Sequence, residues 1–145
     1  GTKVNLIIWD TAGQERFQSL AQNFYRGASV ALLCYDLSAE IDCIKWINRI
    51  RENNLDAKIY LVLTKADTCT PDELVESRAR GMQLIESHNL EKYMQTSAKT
   101  SYGINDLLME IAMVAHSNFE QHPHGVQIDS SKETEDSTTS KKKCC

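Results

Sequence analysis

Three short polar runs hold the groups from which a ligand site could be built. Asp10-Thr11-Ala12-Gly13-Gln14, Thr64-Lys65-Ala66-Asp67 and Ser97-Ala98-Lys99 each come at or just after the end of a short apolar run. They supply carboxylates and an amide carbonyl as acceptors, ammonium groups as donors, and hydroxyls that act as both. Taken singly each is weak, since D-T-A-G is more often a turn than a site. Their order and their common position after apolar runs are much harder to attribute to chance. A fourth feature, Lys141-Lys142-Lys143-Cys144-Cys145, sets three positive charges beside two thiols at the end of the sequence.

Such groups need a frame. Val4–Trp9, Ser29–Tyr35, Lys58–Leu63 and Tyr93–Thr96 are rich in β-branched, aromatic or other apolar residues and read as strands, the middle two apolar enough to be buried on both faces. Helical spacing follows in Ile41, Ile44, Ile47 and Ile50, in Leu74, Val75, Ala79, Met82 and Ile85, and in Ile104, Leu107, Leu108, Ile111, Val114 and Ala115. The second helix has a marked start, with Thr70 as N-cap, Pro71 at the first helical position and Glu73 placed to close a capping box. Alternating strands and helices predict an α/β fold, a doubly wound and mostly parallel sheet with helices on both faces. Ligands of such sheets sit at the carboxyl ends of the strands, where the three runs fall.

Composition narrows the class. At 145 residues, with 41% hydrophobic and 25% charged, the sequence suits a single globular domain. A net charge of -4 argues against nucleic acid as a partner. None of the five cysteines forms a C-x-x-C pair, and Cys34 and Cys43 read as small buried hydrophobes in a reduced, cytoplasmic setting. No apolar stretch approaches the roughly 20 residues of a spanning helix. After Phe119 the sequence turns polar and rich in Ser and Thr, which predicts a domain over 1–120 and a disordered tail over 121–145.

In these residues the sequence resembles the small GTPases, and the Rab family in particular. Asp10-Thr11-Ala12-Gly13-Gln14 matches D-x-x-G-Q, Thr64-Lys65-Ala66-Asp67 matches N-K-x-D with one change, and Ser97-Ala98-Lys99 matches S-A-K. "IWDTAGQERF", "FYRGA" and the double-cysteine end look like Rab features, and the similarity runs over about residues 4 to 119.

The resemblance implies a G domain of the P-loop NTPase type that binds GTP or GDP with Mg²⁺. Asp10 would hold Mg²⁺ through a water, the Gly13 N–H would sense the γ-phosphate, and Gln14 would orient the attacking water. Asp67 would accept two hydrogen bonds from guanine, Lys65 and Lys99 would lay their stems along the base, and the Ala98 N–H beside Ser97 would bond the guanine carbonyl. Phe17, Leu20, Phe24 and Tyr25 would form a switch presented to effectors; plain core packing is the other reading, and Tyr25 fits both equally. Cys144 and Cys145 would carry geranylgeranyl groups, since one lipid chain holds a membrane marginally and two with a basic patch hold it stably. Partners implied are effectors, an exchange factor, a GTPase-activating protein and prenyl-escort proteins. The setting would be the cytosolic face of endomembranes in vesicle trafficking.

Two departures matter. Thr64 stands where the family has Asn, which predicts weaker nucleotide binding. The segment between Asp36 and Trp46 is about three residues short of the family pattern.

No G-x-x-x-x-G-K-[ST] occurs, so the phosphate cradle is missing. In the resembled fold the strand before that loop lies between Val4–Trp9 and Ser29–Tyr35. Its loss leaves two inner edges unpaired, at roughly 1 to 3 kcal/mol per buried unsatisfied group. The expectation is an N-terminally incomplete G domain, with direct closure of the two edges as the alternative. Weak or no GTP binding and no hydrolysis are expected of these residues alone. A prenylated interaction module without a nucleotide cycle is the second functional reading. A third, an unrelated doubly wound module with Asp10 as a solitary acidic site, leaves the double cysteine unexplained.

Overall fold

Parallel pairing begins where the sequence is most continuously apolar. The computed structural model describes residues 3–10, 27–38 and 42–121, the side chains of 115 and 118–121 excepted. Its elements run β1 (Val30–Tyr35), α1 (Cys43–Asn53), β2 (Lys58–Leu63), a 3-10 turn (Ala66–Thr68), α2 (Pro71–His88), β3 (Lys92–Gln95) and α3 (Ile104–Gln121). The strands form one parallel sheet in the order β1-β2-β3, with Leu33 opposite Leu61 and Leu61 opposite Tyr93. Ile59 to Leu63 on the central strand are all at most 1% exposed, as a strand covered on both faces requires.

Strand alternation divides the core in two. Leu33, Ile59, Leu61, Leu63 and Tyr93 face Ile47 and Ile50 of α1 and the half-buried Leu74, Leu84 and Ile85 of α2. Tyr60 and Val62 face Leu107 and Ile111 of α3 on the other side. Helices on both faces give the doubly wound α/β arrangement that the sequence predicts.

The helix ends are chemically defined. Asp42 caps α1, its carboxylate accepting from Lys45 N–H at 3.0 Å. At α2 the predicted capping box is present: Thr70 Oγ1 accepts from Glu73 N–H, and Glu73 accepts from Thr70 N–H at 2.8 Å. At the opposite end of the sheet the Arg51 guanidinium donates to the carbonyls of Leu55, Ala57 and Asn89. One side chain thus ties the end of α1, the start of β2 and the end of α2.

Several expectations are corrected. Val4–Trp9 is not a strand: Ile7, Ile8 and Trp9 are 82%, 64% and 64% exposed, and Leu6 is the residue of this run that packs on the core beside α3. The physical reason is the missing ladder. Among the described residues no strand pairs with the outer edge of β1, so the predicted alternative of direct closure is not seen either. An apolar run without a paired strand has no ladder to hold it extended.

The buried face of α2 also differs from its apolar pattern. Val75 and Met82 are 70% and 47% exposed, whereas Ser77 and Gly81 are buried. The Tyr93 ring lies against Gly81, where a Cβ would come within 2.5 Å of its Cδ2. Ser77 Oγ bonds the hydroxyls of Tyr35 and Tyr93 at 2.9 Å each. Small residues form this face because aromatic rings occupy the space. On α1, Ile44 is likewise exposed. Cys34 is exposed rather than buried, and Cys43 is half-buried.

Candidate functional site

The residues at the carboxyl ends of β2 and β3 converge through backbone bonds first. As β2 ends, Thr64 N–H and Oγ1 both donate to Tyr35 O, at 2.7 and 3.0 Å. The chain then reverses at Lys65, which takes a left-handed conformation (φ 55°, ψ 33°). This turns Ala66 inward, where its N–H donates to Thr96 O at 3.0 Å. Across the sheet, Thr96 N–H and Oγ1 both donate to Leu63 O, at 2.7 and 3.1 Å. The two turns are laced together before any side chain of the site is placed.

Ser97 is the pivot. It is fully buried, its N–H donates to Tyr102 O at 2.9 Å, and its Oγ accepts from Thr100 N–H at 3.2 Å. The same hydroxyl donates to Asp67 Oδ1 across a sequence separation of 30 residues. Gly103 closes the loop at φ +68°, where a Cβ would lie 2.3 Å from Gln95 O, so a larger residue is excluded. Ala98 and Lys99 follow in an exposed turn beside Asp67.

Electrostatics keep both local carboxylates charged. The Ser97 hydrogen bond holds the Asp67 pKa below its ordinary value, with Lys99 adding a smaller effect in the same direction. The second oxygen of Asp67 lies 3.8 Å from the Lys99 ammonium, whose side chain is largely exposed. That oxygen is beyond hydrogen-bond range of the ammonium and can accept from a ligand N–H. Asp36, after β1, pairs with Lys65 at 2.7 Å, and this bond together with those from Ser38 brings its pKa down to about 2. The sequence reading missed Asp36 as the partner of Lys65. Its place at a strand's carboxyl end, the same signal that singled out Asp10, could have found it.

Thr64, Lys65, Asp67, Ser97, Ala98 and Lys99 are thus gathered at one end of the sheet. Asp10 is described and exposed, and it lies close enough to Cys34 for its charge to act on the thiol. Gly13, Gln14, Phe17, Leu20, Phe24, Tyr25, Cys144 and Cys145 lie outside the described residues. Among the described residues no three His, Cys, Asp or Glu side chains converge as a cation site. Among them, too, no helix is long and apolar enough to cross a membrane.

The sequence model of the Ras family matches residues 1–117. Ras-related protein Rab-5A of Dictyostelium discoideum is 34% identical over 148 residues, covering 99% of this chain and 72% of that protein. The chain belongs to the Rab family of small GTPases. Other similar Rabs are Rab-26 of Drosophila melanogaster, 41% identical over 86% of this chain and 32% of its own length, and human Rab-30, 38% identical over 77% and 56%. As a Rab, the chain is of the GTP-binding, membrane-trafficking class. The base-side residues fit a guanine nucleotide: a charged carboxylate with an oxygen to spare, an exposed Ala98 next to it, and two lysines at the rim.

Proposed function

We propose that this Rab reads the guanine base of GTP and GDP through Asp67, with Lys65 and Lys99 flanking the base and Ala98 N–H bonding its carbonyl. The reading rests on one observation, the Ser97–Asp67 bond that joins the two turns and leaves Asp67 Oδ2 available. Guanine offers two neighbouring N–H donors to such a carboxylate. Adenine does not, and would leave it underpaired, at roughly 1 to 3 kcal/mol.

The phosphate side of the proposal rests on sequence. Asp10 would hold Mg²⁺ through a water, Gly13 would meet the γ-phosphate, and Gln14 would place the attacking water. Mg²⁺ when bound supplies the charge stabilisation of phosphoryl transfer. Since the sequence holds no G-x-x-x-x-G-K-[ST], these 145 residues alone bind GTP weakly or not at all and do not hydrolyse it. In the complete switch, effectors meet Phe17, Leu20, Phe24 and Tyr25. An exchange factor and a GTPase-activating protein drive the cycle, and escort proteins carry the prenyl groups of Cys144 and Cys145 between membranes.

Thr64 favours a second reading. Its one hydroxyl proton is already committed to Tyr35 O, so it has no donor left for a base, as suits a prenylated interaction module without a nucleotide cycle. Isothermal titration with Mg²⁺ and GDP, on these residues and on the full reading frame, separates the two. GDP binding by the full frame that passes to xanthosine diphosphate in Asp67→Asn is the expected result. Equal GDP binding by Asp67→Asn would overturn the base-reading role, and no binding by the full frame would leave the interaction module.

A further inference from the structure

The two lysines beside Asp67 are held differently. The Lys99 ammonium is 3.8 Å from Asp67 Oδ2, beyond hydrogen-bond range, and its side chain is 82% exposed. The Lys65 ammonium instead makes a 2.7 Å ion pair with Asp36 Oδ2. Asp36 is largely buried by its neighbours, with a side chain 19% exposed, and it is itself oriented. Its other oxygen, Oδ1, accepts from Ser38 N–H at 2.8 Å and from the Ser38 hydroxyl. The carboxylate thus divides its oxygens, one for its own turn after β1 and one for Lys65 on the turn after β2.

The other end of Lys65 is fixed as well. Its backbone is left-handed, and its carbonyl accepts from Thr68 N–H at 2.9 Å and Thr68 Oγ1 at 2.8 Å. Both neighbours are tied to the sheet, Thr64 through Tyr35 O and Ala66 through Thr96 O. The methylene stem is therefore held between a fixed Cα and a fixed ammonium. A lysine without such a partner samples many rotamers, and a ligand that packs on its stem has to order it. For Lys65 that ordering is done within the protein, whereas for Lys99 it is left to the ligand.

We infer that Asp36 is a positioning residue for the guanine base: by holding the Lys65 ammonium it keeps the lysine stem in place as a preset apolar wall for the ring face. Asp36 touches no part of the nucleotide and acts only through Lys65. The inference rests on the reading of the base by Asp67 and deepens it, since one carboxylate then reads the edge of the ring while another, on a different strand end, prepares the surface on which the ring lies.

Calorimetric titration of the full reading frame with Mg²⁺ and GDP tests it, comparing the unaltered protein with Asp36→Asn, Lys65→Met and the double variant. Asn keeps an acceptor for Ser38 and loses the charge; Met keeps an apolar stem and loses the ammonium. Either substitution is expected to weaken GDP about two- to tenfold, as the ordering of one long side chain predicts. The double variant is expected to be no weaker than the weaker single variant, because both substitutions break the same link. Inosine diphosphate, which has the same ring face without the exocyclic amino group, should lose the same factor on Asp36→Asn. Carbon relaxation of the lysine side chains gives a readout without nucleotide: Lys65 restricted and Lys99 free in the unaltered protein, and both free in Asp36→Asn. Absence of GDP binding by the unaltered protein removes the base reading and this inference with it. With binding present, the inference alone is overturned by unchanged affinity in Asp36→Asn, by additive losses in the double variant, or by a different factor for inosine diphosphate, which would mean that Asp36 acts through its charge on Asp67. Equal mobility of Lys65 and Lys99 in the unaltered protein overturns it without any variant.

Discussion

Ser97 Oγ donates to Asp67 Oδ1 while accepting from Thr100 N–H, so one buried hydroxyl fixes a carboxylate from another loop and the turn that follows its own strand. Replacing Ser97 by Ala leaves the Thr100 N–H without that acceptor and loses the link to Asp67. A loss of about 1 to 3 kcal/mol is expected from urea denaturation. Asp67→Asn keeps an acceptor for the Ser97 hydroxyl and costs less. A smaller loss in Ser97→Ala than in Asp67→Asn would mean that the bond does not organise the site.

Three depressed carboxylates, Asp36, Asp67 and Glu73, set the acid behaviour. A group whose pKa is lower in the folded state contributes stability above its unfolded value, near 3.9 for Asp, and loses it as pH falls through its folded value. Urea midpoints should be flat from about pH 7 to 5 and fall below about pH 4. For Asp36 the decline extends toward its folded pKa of about 2. Lys65→Gln removes the main cause of that shift, and NMR titration of the Asp36 carboxyl carbon should then move up toward its ordinary value.

Gly81 tests the packing of α2 on β3. An Ala Cβ would meet the Tyr93 ring at 2.5 and 2.9 Å, and the ring is held by the bonds of its hydroxyl to Ser77 and Gln95. Overpacking costs about 1 to 3 kcal/mol, against up to about 1 kcal/mol regained from helix propensity. Gly81→Ala should therefore destabilise, as a lower thermal midpoint. A rise would show that the ring gives way.

Thr64→Asn is the substitution that bears on function. If the base is read as proposed, an amide that reaches further than a hydroxyl adds about one hydrogen bond, and GDP affinity of the full reading frame rises about fivefold. Titration calorimetry gives the ratio directly. An unchanged or weaker affinity argues that Thr64 is native to a site of different design.

The capping box offers a clean stability measurement. Glu73→Ala should lower the urea midpoint, and Glu73→Gln should leave it nearly unchanged.

Much of this was legible in the residues. The runs of β1 and β2, the Thr70 cap and the meeting of Asp67 with Ser97 follow from apolar continuity, local chemistry and the rule that parallel strands gather their loops at one end. What was not legible depends on neighbours. Val4–Trp9 has strand composition, yet pairing is a property of two chains of atoms, and its composition carries no sign of whether a partner is beside it. Ser77 and Gly81 look polar and small in the sequence, and only the Tyr93 ring explains why they face inward. The Lys65 ammonium sits on Asp36, a pairing set by where β1 ends and signalled by no motif.

The outer edge of β1 has a further consequence. Among the described residues its amides and carbonyls on that side meet no second strand, and such an edge is adhesive toward any extended peptide of suitable length. Self-association of this stretch should therefore rise steeply with concentration and, rather than thermal melting, would set the practical ceiling for handling it.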